Sequence, residues 1–243
     1  MRIPRIFHPE SLCDNSRLAL ASNAARHVGR VLRLREGDEL TLFNGCGGEY
    51  PATIVELNKR ELWVECKERV ESECESPLKI TLAQGVSKGD RMDYTIQKAV
   101  ELGISTIVPL NTERSVVSLK GERLEKKLEH WRGVIISACE QCGRNTLPVL
   151  SPLTSLHEWL MQPLNGMGLT LDHRAECGVN ALSPEHTTIT LLVGPEGGLS
   201  VAERSAASAA GYHGMRLGPR VLRTETAALT ALAALQSRWG DLG

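Results

Sequence analysis

The chain has 243 residues, 42% of them hydrophobic and 23% charged, with a net charge of −1. That length can bury a real core as one large domain or two smaller ones, and the composition is ordinary for a soluble globular protein. Near-neutral charge removes whole-molecule basicity as a pointer to nucleic acid, so only a local patch could carry such a role.

Seven cysteines without a framework spacing suit free thiols in a reducing cytoplasm. The opening MRIPRIFHPE has no apolar core and does not read as a signal peptide. No run approaches the roughly 18 apolar residues of a membrane span.

In chain order, residues 1–70 read as short strands and turns that close into a small β-barrel. Strand patterns cover Glu39–Phe43, Tyr50–Val55 and Glu61–Cys66, and Asn44-Gly-Cys-Gly-Gly48 is a hairpin turn by composition. A short helix is expected over Ser22–Val31. Charge separates sharply here: residues 1–35 hold seven arginines against Glu10 and Asp14. Arg2, Arg5, Arg26, Arg30 and Arg33 are the candidate RNA contacts, because guanidinium grips phosphate bidentately and stacks on bases. A solvated face is the competing explanation. Aromatic residues are 4% of the chain, too few for a base-stacking platform.

Residues 71–78 form a polar, acidic linker ending near a proline. From residue 79 to 243 strand and helix patterns alternate, which predicts parallel strands with helices on both faces. A strand over Lys79–Gly85 precedes a helix over Arg91–Leu102 with Met92, Ile96, Ala99 and Val100 buried, closed by Gly103. A strand over Ile104–Leu110 and a long amphipathic helix over Glu122–Cys142 follow. Within that helix, Cys139-x-x-Cys142 has no second ligand pair, so no metal site is expected. Residues 147–164 read as a loop and a short helix, and Met167–Asp172 as a strand.

Two glycine-containing turns then follow two short strands. Thr188–Val193 runs into Gly194-Pro-Glu-Gly-Gly-Leu199, and Ser200 with Glu203 makes a capping box that opens a helix. Met215–Leu217 runs into Gly218-Pro-Arg-Val-Leu-Arg223, and a helix is expected from Thr224 to Trp239. Both turns sit at the carboxyl ends of strands, where open α/β sheets place ligands. Glycine there lets backbone approach a ligand closely. The chain has neither a Walker A sequence nor an early G-x-G-x-x-G, so phosphate-loop and dinucleotide readings have no support.

GPEGGLS (194–200) followed by LGPRVLRTETA (217–227) resembles the SPOUT superfamily, and more closely the bacterial 16S ribosomal RNA uridine-N3 methyltransferase family. Arg2–Arg5, Ile96–Gly103, Glu113–Ser115 and Ala138–Arg144 extend the resemblance over essentially the whole chain. It implies a carboxyl-terminal α/β trefoil-knot domain with a mainly parallel sheet, an amino-terminal PUA-like RNA-binding barrel, and dimerisation through the carboxyl-terminal domains. The implied cofactor is S-adenosyl-L-methionine, the implied partner 16S rRNA in the small ribosomal subunit. No membrane partner is expected.

The expected cofactor-binding set is Val193, Gly194, Glu196, Gly197, Gly198, Leu217, Gly218, Val221, Leu222 and Arg223. Uridine N3 is weakly acidic, so its methylation needs a base or a cation that stabilises the anion. Candidates are Arg223, Glu225, Glu140 and Arg144. Glu225 could instead stabilise the helix start, Glu140 and Arg144 could form a structural pair, and Glu196 could hold its loop. Lys98 and Arg114 fit RNA or structural contacts equally. Two other functions stay open: the same fold acting on transfer RNA or a 2′-hydroxyl, and a non-catalytic RNA-binding assembly factor.

Overall fold

The computed structural model describes residues 3–20, 22–58, 61–117, 119–183 and 187–243. The chain divides into two compact units, one of 1–75 with 139–147, the other of 76–138 with 148–243.

The first unit is a five-stranded sheet built from β1 (Arg5–Phe7), β2 (Arg17–Leu20), β3 (Glu39–Phe43), β4 (Tyr50–Leu57) and β5 (Leu62–Cys66). Their order is β1-β3-β4-β5-β2, with only β1 and β3 parallel. Alternation sets the core face: Tyr50, Ala52 and Ile54 of β4 are buried beside Leu62, Val64 and Cys66 of β5. A bulge between Ile54 and Glu56 shifts the register. The curled sheet is PUA-like. The expected helix over Ser22–Val31 is present as α1 (Ser22–Arg26) followed by a π-helical turn over His27–Val31.

Residues 139–147, at the end of the long helix and beyond, fall in this first unit although they lie far along the chain. Burial pushes the Cys139 thiol up to about 12, so it is a core atom rather than a nucleophile.

The second unit is an α/β layer. Its strands are β6 (Lys79–Gly85), β7 (Thr106–Asn111), β8 (Val149–Leu150), β9 (Thr154–Ser155), β10 (Met167–Leu171), β11 (Thr188–Val193) and β12 (Tyr212–Met215). The order is β12-β10-β11-β6-β7-β8, with β9 also on β7, and every pairing is parallel. Helices α2 (Asp90–Glu101), α3 (Gly121–Cys142), α4 (Leu156–Leu160), α5 (Val201–Ala209) and α6 (Thr224–Trp239) complete it.

From β6 the chain steps to β7 in one direction and later to β11 and β10 in the other. The two central strands therefore lie where strand order reverses, the usual place for a ligand crevice in such sheets. The buried Ile80, Leu82 and Ala83 of β6 and Ile189 to Val193 of β11 are what strands covered on both faces require.

Buried Gln236 locks α6 in place. Its amide donates to the Leu102 carbonyl at 3.0 Å and accepts from Ser76 Oγ at 2.6 Å. Gly103 at φ +76° permits this, because a Cβ there would stand 2.7 Å from Gln236 Nε2. The strand expected at Met215–Leu217 instead covers Tyr212–Met215. Its pairing with β10 ends at Met215, which frees Arg216 onward to form a loop. Among the described residues, no helix is long and apolar enough to cross a membrane.

Candidate active site

Three loops leave the carboxyl edge of the parallel sheet and wall a cleft of about 350 Å³. The loop after β11 contributes Val193 through Leu199. The loop between β12 and α6 contributes Leu217, Arg220, Val221, Leu222 and Arg223. The turn after β10 contributes Leu171, Asp172 and His173. Thr224, Glu225 and Ala227 of α6 close the floor, and Arg91 stands at the rim.

The first loop turns tightly because Gly198 N donates to the Pro195 carbonyl at 2.8 Å. Gly198 has φ +66° with open space where a Cβ would project. Gly194 is glycine for the opposite reason: its Cβ would lie 2.8 Å from Leu199 N. Glu196 is fixed from outside the loop. Its Oε1 accepts from Lys88 N and Arg91 Nη1, both at 2.9 Å. Burial raises this carboxyl, but those donors and its own backbone N–H overcome the effect and hold it below the usual range. Arg114 donates to the Gly197 carbonyl at 2.8 Å. The capping box forms, and buried Glu203 also accepts from Glu113 N at 2.8 Å. The loop is therefore braced by the segments after β6 and β7.

The second loop has fewer restraints. Gly218 sits at φ +75° with nothing near its Cβ position, and Val221 is 75% exposed. Arg220 and Arg223 are exposed. At the start of α6, Thr224 Oγ1 donates to the Gly194 carbonyl at 2.6 Å. Glu225 Oε2 is buried with no hydrogen-bond partner among the described residues.

Of the ten residues expected to hold a cofactor, all but Gly218 line this cleft. Asp172 was missed. It accepts from Arg174 N at 3.0 Å and lies 3.4 Å from Arg204 Nε. An aspartate closing the strand pattern at 167–172 was the available signal, but it carries no glycine signature.

Two catalytic candidates, Arg223 and Glu225, meet at the cleft, whereas Glu140 and Arg144 do not line it. Glu140 accepts from Phe7 N at 3.0 Å, and burial raises its carboxyl. Arg144, 3% exposed, makes a two-pronged pair with Glu75 at 2.8 and 2.5 Å. Both are tied within the first unit.

The expected RNA contacts divide as well. Arg26, Arg30 and Arg33 are exposed, and Arg33 has an unusual φ of 58°. Arg5 is half-buried instead, its guanidinium paired with Glu49 and Asn145 and lying over the Phe43 ring, so it is already engaged within its own unit. Lys98 pairs with Glu101 within α2 at 2.7 Å. Arg114 braces the Gly197 loop. Arg2 lies outside the described residues.

An all-parallel sheet with bare loops at its carboxyl edge, in a chain that also carries a PUA-like module, is the architecture of an α/β RNA methyltransferase. The RNA methyltransferase domain family matches residues 74–236, and the RNA methyltransferase PUA domain family matches residues 20–66. The chain belongs to the ribosomal RNA small subunit methyltransferase E family.

A protein of that name from Buchnera aphidicola (subspecies Schizaphis graminum) is 35% identical over 99% of this chain and 98% of its own. The Neisseria gonorrhoeae ribosomal RNA small subunit methyltransferase E, solved bound to S-adenosyl methionine, is 40% identical. It covers 100% of both chains with a TM-score of 0.93. A Legionella pneumophila protein solved with bound cofactor SAM is 42% identical, again over 100% of both chains, with a TM-score of 0.97.

Proposed function

We propose that this chain is an S-adenosylmethionine-dependent methyltransferase acting in the cytoplasm on N3 of a uridine in 16S rRNA of the small ribosomal subunit. The observation that carries this is the convergence of two glycine-bared loops on one cleft. Relatives of the same fold, matched over 100% of both chains, have been solved with that cofactor bound.

The cleft fits the group. Gly198 leaves open space at the cleft wall where a side chain would otherwise project. When bound, S-adenosylmethionine supplies an electrophilic methyl carbon on a sulfonium leaving group. Val193, Gly194, Glu196, Gly197, Gly198, Leu217, Val221, Leu222 and Arg223 hold it, with Glu196 acting through the loop it clamps and Gly218 only shaping the turn of the second loop. Asp172 adds an anionic wall.

The chain must also take a proton from N3 and stabilise the charge left behind. Glu225 is the proposed base: it lines the cleft, and its Oε2 lacks a donor among the described residues. Arg223, at the same wall, stabilises the uridine anion electrostatically. Glu140, Arg144 and Arg5 are assigned to structure, as are Lys98 and Arg114. Arg26, Arg30 and Arg33 of the PUA-like unit take RNA phosphate. The active form is a homodimer through the carboxyl-terminal unit.

Incubation with radiolabelled cofactor and small subunits from cells lacking the modification tests this. The expected product is label at N3 of one uridine. Label in transfer RNA or at a 2′-hydroxyl would move the target, and cofactor binding without transfer to any RNA would leave a non-catalytic factor.

A further inference from the structure

Two of the three loops that wall the cleft are joined by a polar latch centred on a residue outside the cleft wall. Gln84, the penultimate residue of β6, is 0% exposed. Its Nε2 faces three acceptors: the Gly85 carbonyl at 3.0 Å, Thr224 Oγ1 at 3.0 Å and the Gly194 carbonyl at 3.3 Å. Thr224 Oγ1 in turn donates to Gly194 O at 2.6 Å. Positions 84, 194 and 224 are thus closed into one buried cluster. Gly194 opens the first loop, and Thr224 follows the last residue of the second.

Packing enforces the same contact. A Cβ on Gly85 would stand 2.6 Å from the Pro195 ring and nitrogen, so backbone meets backbone where Gln84 bonds. The amide is oriented by its donor end, since Oε1 has no partner among the described residues. A buried amide held in this way is costly to disrupt, because each broken bond strands a desolvated acceptor.

We infer that Gln84 is a positioning residue of the methyl-transfer site, registering the Gly194–Leu199 loop against the Gly218–Arg223 loop through Thr224 before any cofactor arrives. The inference rests on the function proposed above. A latch that sets loop geometry in advance lowers the ordering cost of binding. Its loss therefore shows in cofactor affinity more than in turnover at saturation.

The test uses the full chain and S-adenosylmethionine in calorimetry, with single-turnover transfer to small subunits. Gln84→Met keeps the shape and removes the donor, Thr224→Val removes the hydroxyl, and Thr224→Ser restores it. The first two should weaken cofactor binding by roughly tenfold to a hundredfold. In Gln84→Met, which lies outside the cleft wall, transfer at saturating cofactor should stay within about threefold of wild type, since most of a latch's effect lies in binding. Thr224→Ser should bind nearly as wild type does. The double variant should lose less than the product of the single losses, because both groups serve the same carbonyl.

Unchanged affinity in folded Gln84→Met, or equal damage from Thr224→Ser and Thr224→Val, would overturn the latch. Failure of the wild-type chain to bind the cofactor would instead overturn the functional proposal, so the two failures are distinguishable. If Gln84→Met does not fold, the comparison of Thr224→Ser with Thr224→Val decides alone.

Discussion

Glycine has several jobs at this cleft, and only some of them concern a ligand. Gly194 is required by its own loop, whereas Gly198 combines φ +66° with open space at the cleft wall. Gly198→Val should therefore act twice. The left-handed backbone costs about 1–2 kcal/mol for an L side chain, and the isopropyl group enters the space proposed for the cofactor. Gly121, at φ +52° and also in open space, supplies the control. Gly121→Ala should lose comparable stability in thermal denaturation and keep its cofactor affinity. Equal affinity losses in both variants would mean that backbone strain, not intrusion, governs the cleft.

At the scale of elements, one carboxylate joins α2 to α3. Asp93 accepts from Lys127 Nζ at 3.0 Å, Trp131 Nε1 at 2.9 Å and His130 Nε2 at 2.5 Å. Trp131 is fully buried, so its indole N–H depends on this partner. Burial raises the Asp93 carboxyl, but the donors from His130, Lys127 and Trp131 outweigh it and hold it below the usual aspartate range. Because the folded value is the depressed one, the stabilisation is complete above the unfolded pKa and is lost as pH falls through the folded one. Asp93→Asn should cost about 1–3 kcal/mol near neutral pH in denaturant titrations. The gap from wild type should hold down to about pH 5 and narrow below about pH 4. A gap independent of pH down to 2 would show that the pin works by shape alone.

Most elements were legible from local pattern, and the misses share a cause. Central strands β6 and β11 are rich in β-branched and apolar residues, and α2 buries the expected Met92, Ile96, Ala99 and Val100. Short edge strands β1 and β2 have too few residues for a period to emerge. The π-helical turn at His27–Val31 depends on backbone bonding that composition does not encode. Arg144 and Glu140 looked available because their partners, Glu75 and Phe7, lie 69 and 133 residues away. Asp172 and Gln84 were overlooked for the complementary reason: their significance comes from what the sheet sets beside them. The cleft loops were readable because glycine leaves a sequence mark, while buried polar latches do not.

For the whole molecule, a net charge of −1 conceals an uneven distribution of charge, and the proposed function divides its work between the two units. Arg26, Arg30 and Arg33 project from the PUA-like unit with exposed side chains, and none of them pairs with a carboxylate among the described residues. Guanidinium groups left free in this way are available to displace counterions from RNA phosphates. The cleft lies wholly within the other unit, and its loops are braced by neighbours in that unit. Replacing all three arginines with glutamate should therefore weaken binding to small-subunit RNA. Each lost phosphate contact should also reduce the slope of log affinity against log salt by about 0.7–0.9, or roughly two to three units for three contacts. Cofactor affinity should stay at the wild-type value, since these charges are not among the groups that line the cleft. Gly198→Val should do the reverse, losing cofactor while keeping RNA affinity and its salt slope. Paired calorimetry and filter binding across a salt series measure both quantities on the same preparations. If the triple-glutamate chain keeps the wild-type slope, the arginines form only a solvated face and the RNA grip lies elsewhere. If each substitution damages both ligands equally, the two units do not divide the work between them.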